Sequence, residues 1–159
     1  SACRAIELVS RLTYHIQQLK RMILSETVFT FPVRVYYEDT DAGGIVYYAN
    51  YLKFFERART EWLRALSIEQ DLLLSNNVAF VVTQVLMDNK KPARFNELLT
   101  VSSQISTLKQ ASIVFKQSIH NSAADLVCSA HIKVACISLQ EMKARAFPAE
   151  VSEVLARGR

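Results

Sequence analysis

The sequence predicts an α+β domain in which one long helix lies against a curled antiparallel sheet. Three observations predict it. An early strand runs into one broad amphipathic helix, and after that helix the pattern turns strand-like for most of the remaining length. Half of the 159 residues are hydrophobic and 21% are charged, the composition of a folded chain with one sizeable core.

Taken in order, the first element is a basic leader. Ile6, Val9, Leu12, Ile16, Leu19 and Ile23 recur three or four apart, which predicts an amphipathic helix over residues 4–24. Arg4, Arg11, Lys20 and Arg21 stand there against Glu7, a balance of +3 within a chain whose net charge is +4. The predicted division is therefore 1–24 as a basic helical extension and 25–159 as the main domain. Because the basicity belongs mostly to the leader, it argues little for nucleic acid as a partner of the domain.

"FTFPVRVYY" (29–37) alternates apolar and polar positions and predicts a strand, with Pro32 favouring a strand start or an edge. "YYEDTDAGGIVYYANY" (36–51) follows. It holds Gly43 and Gly44 in a chain whose only other glycine is Gly158. A helix is expected over 48–66, with Asn50 as a plausible N-cap. Tyr51, Phe54, Phe55, Ala58, Trp62, Ala65 and Leu66 give it a wide aromatic stripe suited to a concave surface.

Four strands are expected next, at 78–87, 97–107, 111–120 and 126–137, running as a meander. The first is apolar on both alternations, which predicts cover on both faces. The links "LKQ" and "NSAAD" are short enough for hairpins. "FPAEVSEVLAR" predicts a closing helix that opens near Pro148. Strands of this length should curl, and a single aromatic helix fills the curl.

Several classes are disfavoured. Three glycines, two of them adjacent, cannot make a dinucleotide-binding loop, a phosphate-binding loop or a nucleophile elbow. His15, His120 and His131 form no metal-binding motif, and Cys3, Cys128 and Cys136 lack ligand spacing, so no metal and no cofactor are expected. No apolar run reaches the length of a transmembrane helix, and no secretory signal is evident. The thiols are read as reduced and the location as cytoplasmic, at most at the inner face of the membrane.

The stretch "VYYEDTDAGGIVYYANYLKFFERARTEWLR" resembles the hotdog-fold acyl-CoA thioesterases of the 4-hydroxybenzoyl-CoA thioesterase family, in particular the branch associated with the Tol-Pal envelope system. The resemblance covers about Phe29 to Leu155. It implies a five-stranded sheet curled around the central helix. It also implies hydrolysis of acyl-CoA to free acid and CoA, with CoA as part of the substrate rather than a cofactor. Asp41 stands at the family's catalytic carboxylate. Tyr48 stands where the family uses a backbone N–H to polarise the thioester carbonyl. Many relatives carry histidine there, so the role assigned to Tyr48 is its backbone amide. The resemblance further implies a homodimer or homotetramer with the active site at the dimer interface.

The residues fit that chemistry. Asp41 can attack the acyl carbon or activate water, and both routes stay open. Free N–H groups at a helix start favour the developing oxyanion. Gly43 and Gly44 let backbone approach substrate closely, and Tyr47 is expected to line the acyl site. Lys90, Lys91 and Arg94 form a basic strand end suited to the phosphates of CoA. Glu38 and Asp39 read as turn or helix-dipole acids. Glu56 is a rival catalytic acid, although its "FERAR" context suggests ion pairing with Arg57, Arg59 or a strand partner instead. The alternative function is an acyl-binding module serving an acyl carrier protein or the envelope, kept open by the basic leader. A hotdog dehydratase would need a loop histidine that is missing.

Overall fold

The computed structural model describes residues 27–158. The leader helix expected over 4–24, and with it the 1–24 extension, lies outside the described residues. The chain begins with strand β1 (Phe29–Arg34) and a short 3₁₀ turn at Tyr37–Asp39. Two helices follow, α1 (Asn50–Ala65) and α2 (Gln70–Ser75). Then come β2 (Val78–Asn89), β3 (Leu98–Leu108), β4 (Ser112–His120), β5 (Leu126–Ser138), the two-residue β6 (Lys143–Ala144) and helix α3 (Ala149–Arg157).

The strands form one antiparallel sheet in the order β1-β3-β4-β5-β2. β6 pairs with the end of β5, through Ile137 and Ser138, which makes six strands where five were expected. The expected meander holds only for β3, β4 and β5. β2 pairs with β5 at the far edge rather than with β3. The reason is the connection between β2 and β3, which is too long for a hairpin and crosses the end of the curl. Along it Lys90 N donates to Val127 O, Val46 N donates to Ala93 O, and Val35 N donates to Glu97 O.

α1 packs its aromatic stripe into the curl. Phe54, Phe55 and Ala58 are fully buried. Trp62 stacks on Phe29 with ring centroids 5.9 Å apart and meets Phe115 edge-on. Such aromatic pairs add to the area they bury. α1 lies against β1 and β3, which leaves the inner face of β5 and β2 less covered. α3 begins at Pro148 as the sequence predicts and buries Val151 and Leu155. The short helix α2 was missed because six residues hold too few turns to show a period.

β2 departs from its prediction. It is an edge strand with one neighbour, and Val82, Val85 and Leu86 are exposed rather than covered. A register shift between Val82 and Gln84 inserts one extra residue against β5. Val82 then faces the row of Val134 and Val85 that of Ile132, both buried positions of β5. The bulge so keeps two valines three residues apart on the same inner face, where strict alternation would have parted them.

Candidate active site

The glycine loop and the start of α1 are tied together through Asp39. This side chain is buried, and its Oδ2 accepts the Tyr36 N–H at 2.8 Å. Its carbonyl oxygen accepts two bonds, from Tyr47 N and from Asn50 Nδ2, each at 2.9 Å. Asp39 is thus a structural acid, as expected. Asn50 has a different role from the one expected. The N-cap position is Ala49, without a side-chain bond, and Asn50 is the first helical residue, with its amide turned back to the loop.

Asp41 sits two residues further on, exposed to solvent. Its backbone N–H donates to Ile45 O and its carbonyl accepts from Gly44 N, closing a tight turn. Its Oδ1 accepts the Gly43 N–H at 2.8 Å. That is an Asx-type turn, the ordinary use of an aspartate before glycines. Here it also fixes one carboxylate oxygen and leaves Oδ2 without a hydrogen bond among the described residues. Gly44 has φ +76°, a conformation other residues adopt at a cost. At Gly43 a Cβ would lie 3.1 Å from Asp41 Oδ1.

The start of α1 leaves donors open. Asn50 N donates to Tyr47 O, Tyr51 N to Tyr48 O, and Leu52 N to Ala49 O. The N–H groups of Tyr48 and Ala49 have no acceptor among the described residues. No side chain caps them, so they remain free at the positive end of the helix dipole. The rings of Tyr47 and Tyr48 are half-exposed and meet edge-on at 5.0 Å. The Tyr51 hydroxyl accepts from Ala93 N and joins the first turn of the helix to the β2–β3 connection. Burial of that phenol pushes its pKa above the usual value.

The same connection brings the basic cluster to the loop. Ile45 forms a bridge with Arg94 beside Gly44. Lys91 is held by Asp125 at 3.1 Å, so only part of its charge is available. Lys90 and Arg94 are exposed and have no ion-pair partner among the described residues. The structure therefore gathers Asp41, Gly43, Gly44, Tyr47, Tyr48 and Arg94 in one neighbourhood, with Lys90 and Lys91 on the same connection.

A family model described as the thioesterase-like superfamily matches residues 35–155. The chain belongs to that superfamily. The acyl-CoA thioesterase YbgC of Haemophilus influenzae is 50% identical over 124 residues, 77% of this chain and 90% of that protein. The acyl-CoA thioester hydrolase YbgC of Escherichia coli O6:H1 is 43% identical over 128 residues, covering 80% and 96%. Among solved structures, a 1,4-dihydroxy-2-naphthoyl-CoA thioesterase from Synechocystis superposes with a TM-score of 0.76 at 25% identity, over 80% of this chain and 95% of that one. The sheet wrapped around α1 is the hotdog fold of these thioesterases.

One feature of this superfamily member was not legible in its sequence. A cavity of about 410 Å³ lies between α1 and the inner face of β4, β5 and β2. Apart from the rival acid Glu56, none of the residues predicted for the site lines it. Glu56 does, and it has no ion-pair partner among the described residues, contrary to the pairing expected with Arg57 or Arg59. Arg59 also lines the cavity, although it is only 8% exposed. Cys128 and Cys136 are buried elsewhere in the core. Burial pushes the Cys128 thiol up to about 12, which makes it a poor nucleophile.

Proposed function

We propose that this chain hydrolyses acyl-CoA thioesters to free acid and CoA, with Asp41 as nucleophile or general base and the Tyr48 N–H as oxyanion donor. The relatives at 43–50% identity are acyl-CoA thioester hydrolases, which supports the reaction class. The observation that carries the assignment of residues is the Asp39 carbonyl. It receives Tyr47 N from the segment after the glycine turn and Asn50 Nδ2 from α1. The Asp41 turn and the free N–H groups of Tyr48 and Ala49 are therefore built on one anchor.

In that arrangement the thioester carbonyl oxygen takes the Tyr48 N–H, and Asp41 Oδ2 faces the acyl carbon or a water beside it. Attack on the acyl carbon pushes charge onto the carbonyl oxygen, and its collapse breaks the C–S bond and expels CoA as thiolate. Where Asp41 takes the proton of an attacking water, the acid forms directly and that proton passes to the thiolate; where Asp41 itself attacks, a water then hydrolyses the acyl–aspartyl anhydride to free acid and restores the carboxylate. Gly43 and Gly44 keep side-chain bulk away from the approach, and Tyr47 flanks it. Arg94 and Lys90 offer the free cations for CoA phosphates, with Lys91 shared with Asp125.

The exposed apolar edge of β2 supports pairing with a second copy. Val82 is 50% and Leu86 68% exposed on a strand with unpaired backbone groups. Such an edge is a liability in a lone chain and an interface in an assembly.

The test is turnover of a panel of short, long and aromatic acyl-CoAs by three folded variants. Asp41→Asn should abolish hydrolysis. Tyr48→Pro, which deletes the N–H, should lower kcat by about 10²–10³-fold, the usual cost of one oxyanion donor. Tyr48→Ala keeps the N–H and should retain most of it. Wild-type turnover in Asp41→Asn refutes the carboxylate role. Equal loss in both Tyr48 variants refutes the backbone role.

A further inference from the structure

Two consecutive residues of α1 hold the Asp41 turn from two sides. Asn50 reaches the Asp39 carbonyl, which also receives Tyr47 N. Tyr51 reaches the other side. Its hydroxyl oxygen accepts the Ala93 N–H at 3.3 Å, and the Ala93 carbonyl accepts the Val46 N–H at 2.8 Å. Ala93 thus joins the first turn of the helix to the segment that leaves the glycines. Ile45, next to Val46, closes the turn: its carbonyl accepts the Asp41 N–H at 2.9 Å, and it bridges Arg94 next to Ala93. A continuous path runs from the Tyr51 hydroxyl through Ala93, Val46 and Ile45 to the backbone of Asp41.

The path is shielded from water. Tyr51 and Val46 are buried, and Ala93 is fully so. Among the described residues the Ala93 N–H has no acceptor other than Tyr51. A buried N–H needs a partner, so without the hydroxyl the connection must shift or keep an unpaired donor. The core itself does not require that oxygen. The Tyr51 ring meets Phe54 edge-on at 6.1 Å, a contact phenylalanine would make equally well. The hydroxyl is the one polar atom on the buried aromatic stripe of α1 that reaches across to the connection, over 42 residues of sequence.

We infer that Tyr51 is a positioning residue of the reaction: acting through Ala93 and Val46, it fixes the Asp41 turn against the helix start that carries the Tyr48 and Ala49 N–H groups. The inference rests on the roles given to Asp41 and Tyr48, and it gives Tyr51 no contact with substrate. One attachment, at Asp39, would leave the turn free to swing about that point. The second attachment removes the swing, so carboxylate and oxyanion donors keep one separation. Small errors in such a separation are costly in rate.

The test is steady-state kinetics of Tyr51→Phe with one acyl group carried on CoA and on N-acetylcysteamine, a thiol without the nucleotide. The variant should lose roughly 10- to 100-fold in kcat with both substrates. KM should stay within about twofold, the pattern of an interaction that matters only in the transition state. A merely structural hydroxyl would lower the denaturant midpoint and leave kcat of the folded protein unchanged, which overturns the inference. A rise in KM confined to acyl-CoA overturns it too, because Tyr51 would then act on Arg94 and the nucleotide instead of the reacting centre. Asp41→Asn, run beside it, separates the two levels. Wild-type turnover in Asp41→Asn removes the reaction assigned to this site and the inference with it. An inactive Asp41→Asn beside a normal Tyr51→Phe removes the inference alone. Amide exchange of the unmodified chain gives a check that needs no variant. The Ala93 N–H should exchange as slowly as that of Val46, and exchange at the rate of an open loop would overturn the brace.

Discussion

Asn50 donates its side-chain amide to the carbonyl oxygen of Asp39 at 2.9 Å, across eleven residues of sequence. The bond joins the first turn of α1 to the segment that leads into the Asp41 turn. It sets the helix start against the loop without touching Asp41. Asn50→Ala should therefore act on catalysis more than on folding. One lost neutral hydrogen bond costs about 1 kcal/mol of stability. A slight displacement of reacting groups can cost roughly 10- to 100-fold in rate. Steady-state kinetics with an acyl-CoA substrate, beside thermal unfolding, will separate the two. A variant with normal kcat would show that the tether does not position the site.

The two glycines make different demands, which separates them experimentally. Gly44 has φ +76°, and a Cβ added there would meet nothing within 4 Å, so Gly44→Ala adds backbone strain and no clash. It should cost about 1 kcal/mol of stability with activity retained. At Gly43 the added methyl would press on Asp41 Oδ1 at 3.1 Å. Gly43→Ala should leave stability nearly unchanged and lower kcat by displacing the carboxylate. Denaturant midpoints and kcat measured on both variants check the crossing pattern. The same effect from both substitutions would contradict it.

The parts legible in the sequence were those written in local pattern. The period of Tyr51, Phe54, Phe55, Ala58 and Trp62 predicted α1 to within two residues at each end, alternation predicted β1, β3, β4 and β5, and a run apolar on both alternations predicted β2. The Asp41 turn was readable because glycines mark turns wherever they stand. Pairing order was not readable. β2 and β3 are neighbours in sequence, and only the length of their connection hints that they part. The Asp39–Asn50 tether and the Arg59–Gln117 contact were hidden for a related reason. Each joins residues whose partners are set by three-dimensional register, and Asn50 alone looked like a cap.

Gln117 is almost fully buried on β4 and satisfies three groups at once. Its Oε1 accepts from Arg59, and its Nε2 donates to Phe55 O and to Ser103 Oγ. Gln117→Leu would leave the Arg59 guanidinium without its acceptor in a low-dielectric setting. The expected loss is about 3 kcal/mol or more, since breaking a buried charged contact exposes the full desolvation penalty. Adding Arg59→Met should return part of that loss, because both polar partners are then gone. A double-mutant cycle by denaturant unfolding reads the coupling. Additive losses would mean that the two side chains do not support each other.

The edge of β2 gives a prediction about assembly. Leu86 pairs in register with exposed His131 and so lies on the outer face, whereas Val82 and Val85 lie on the inner one. An apolar edge of this kind can be covered by a second β2, which would satisfy its backbone groups. A lysine on an edge strand is a common block to such pairing. Leu86→Lys changes a side chain that is 68% exposed in the single chain, so it should leave the folded subunit intact. If β2 forms the interface, sedimentation should show the wild type as a dimer or larger and the variant shifted toward monomer. Turnover should fall with it if the partner completes the site. A wild-type chain that sediments as a monomer would remove the interface from the proposal. Unchanged assembly in Leu86→Lys would place the interface on another surface.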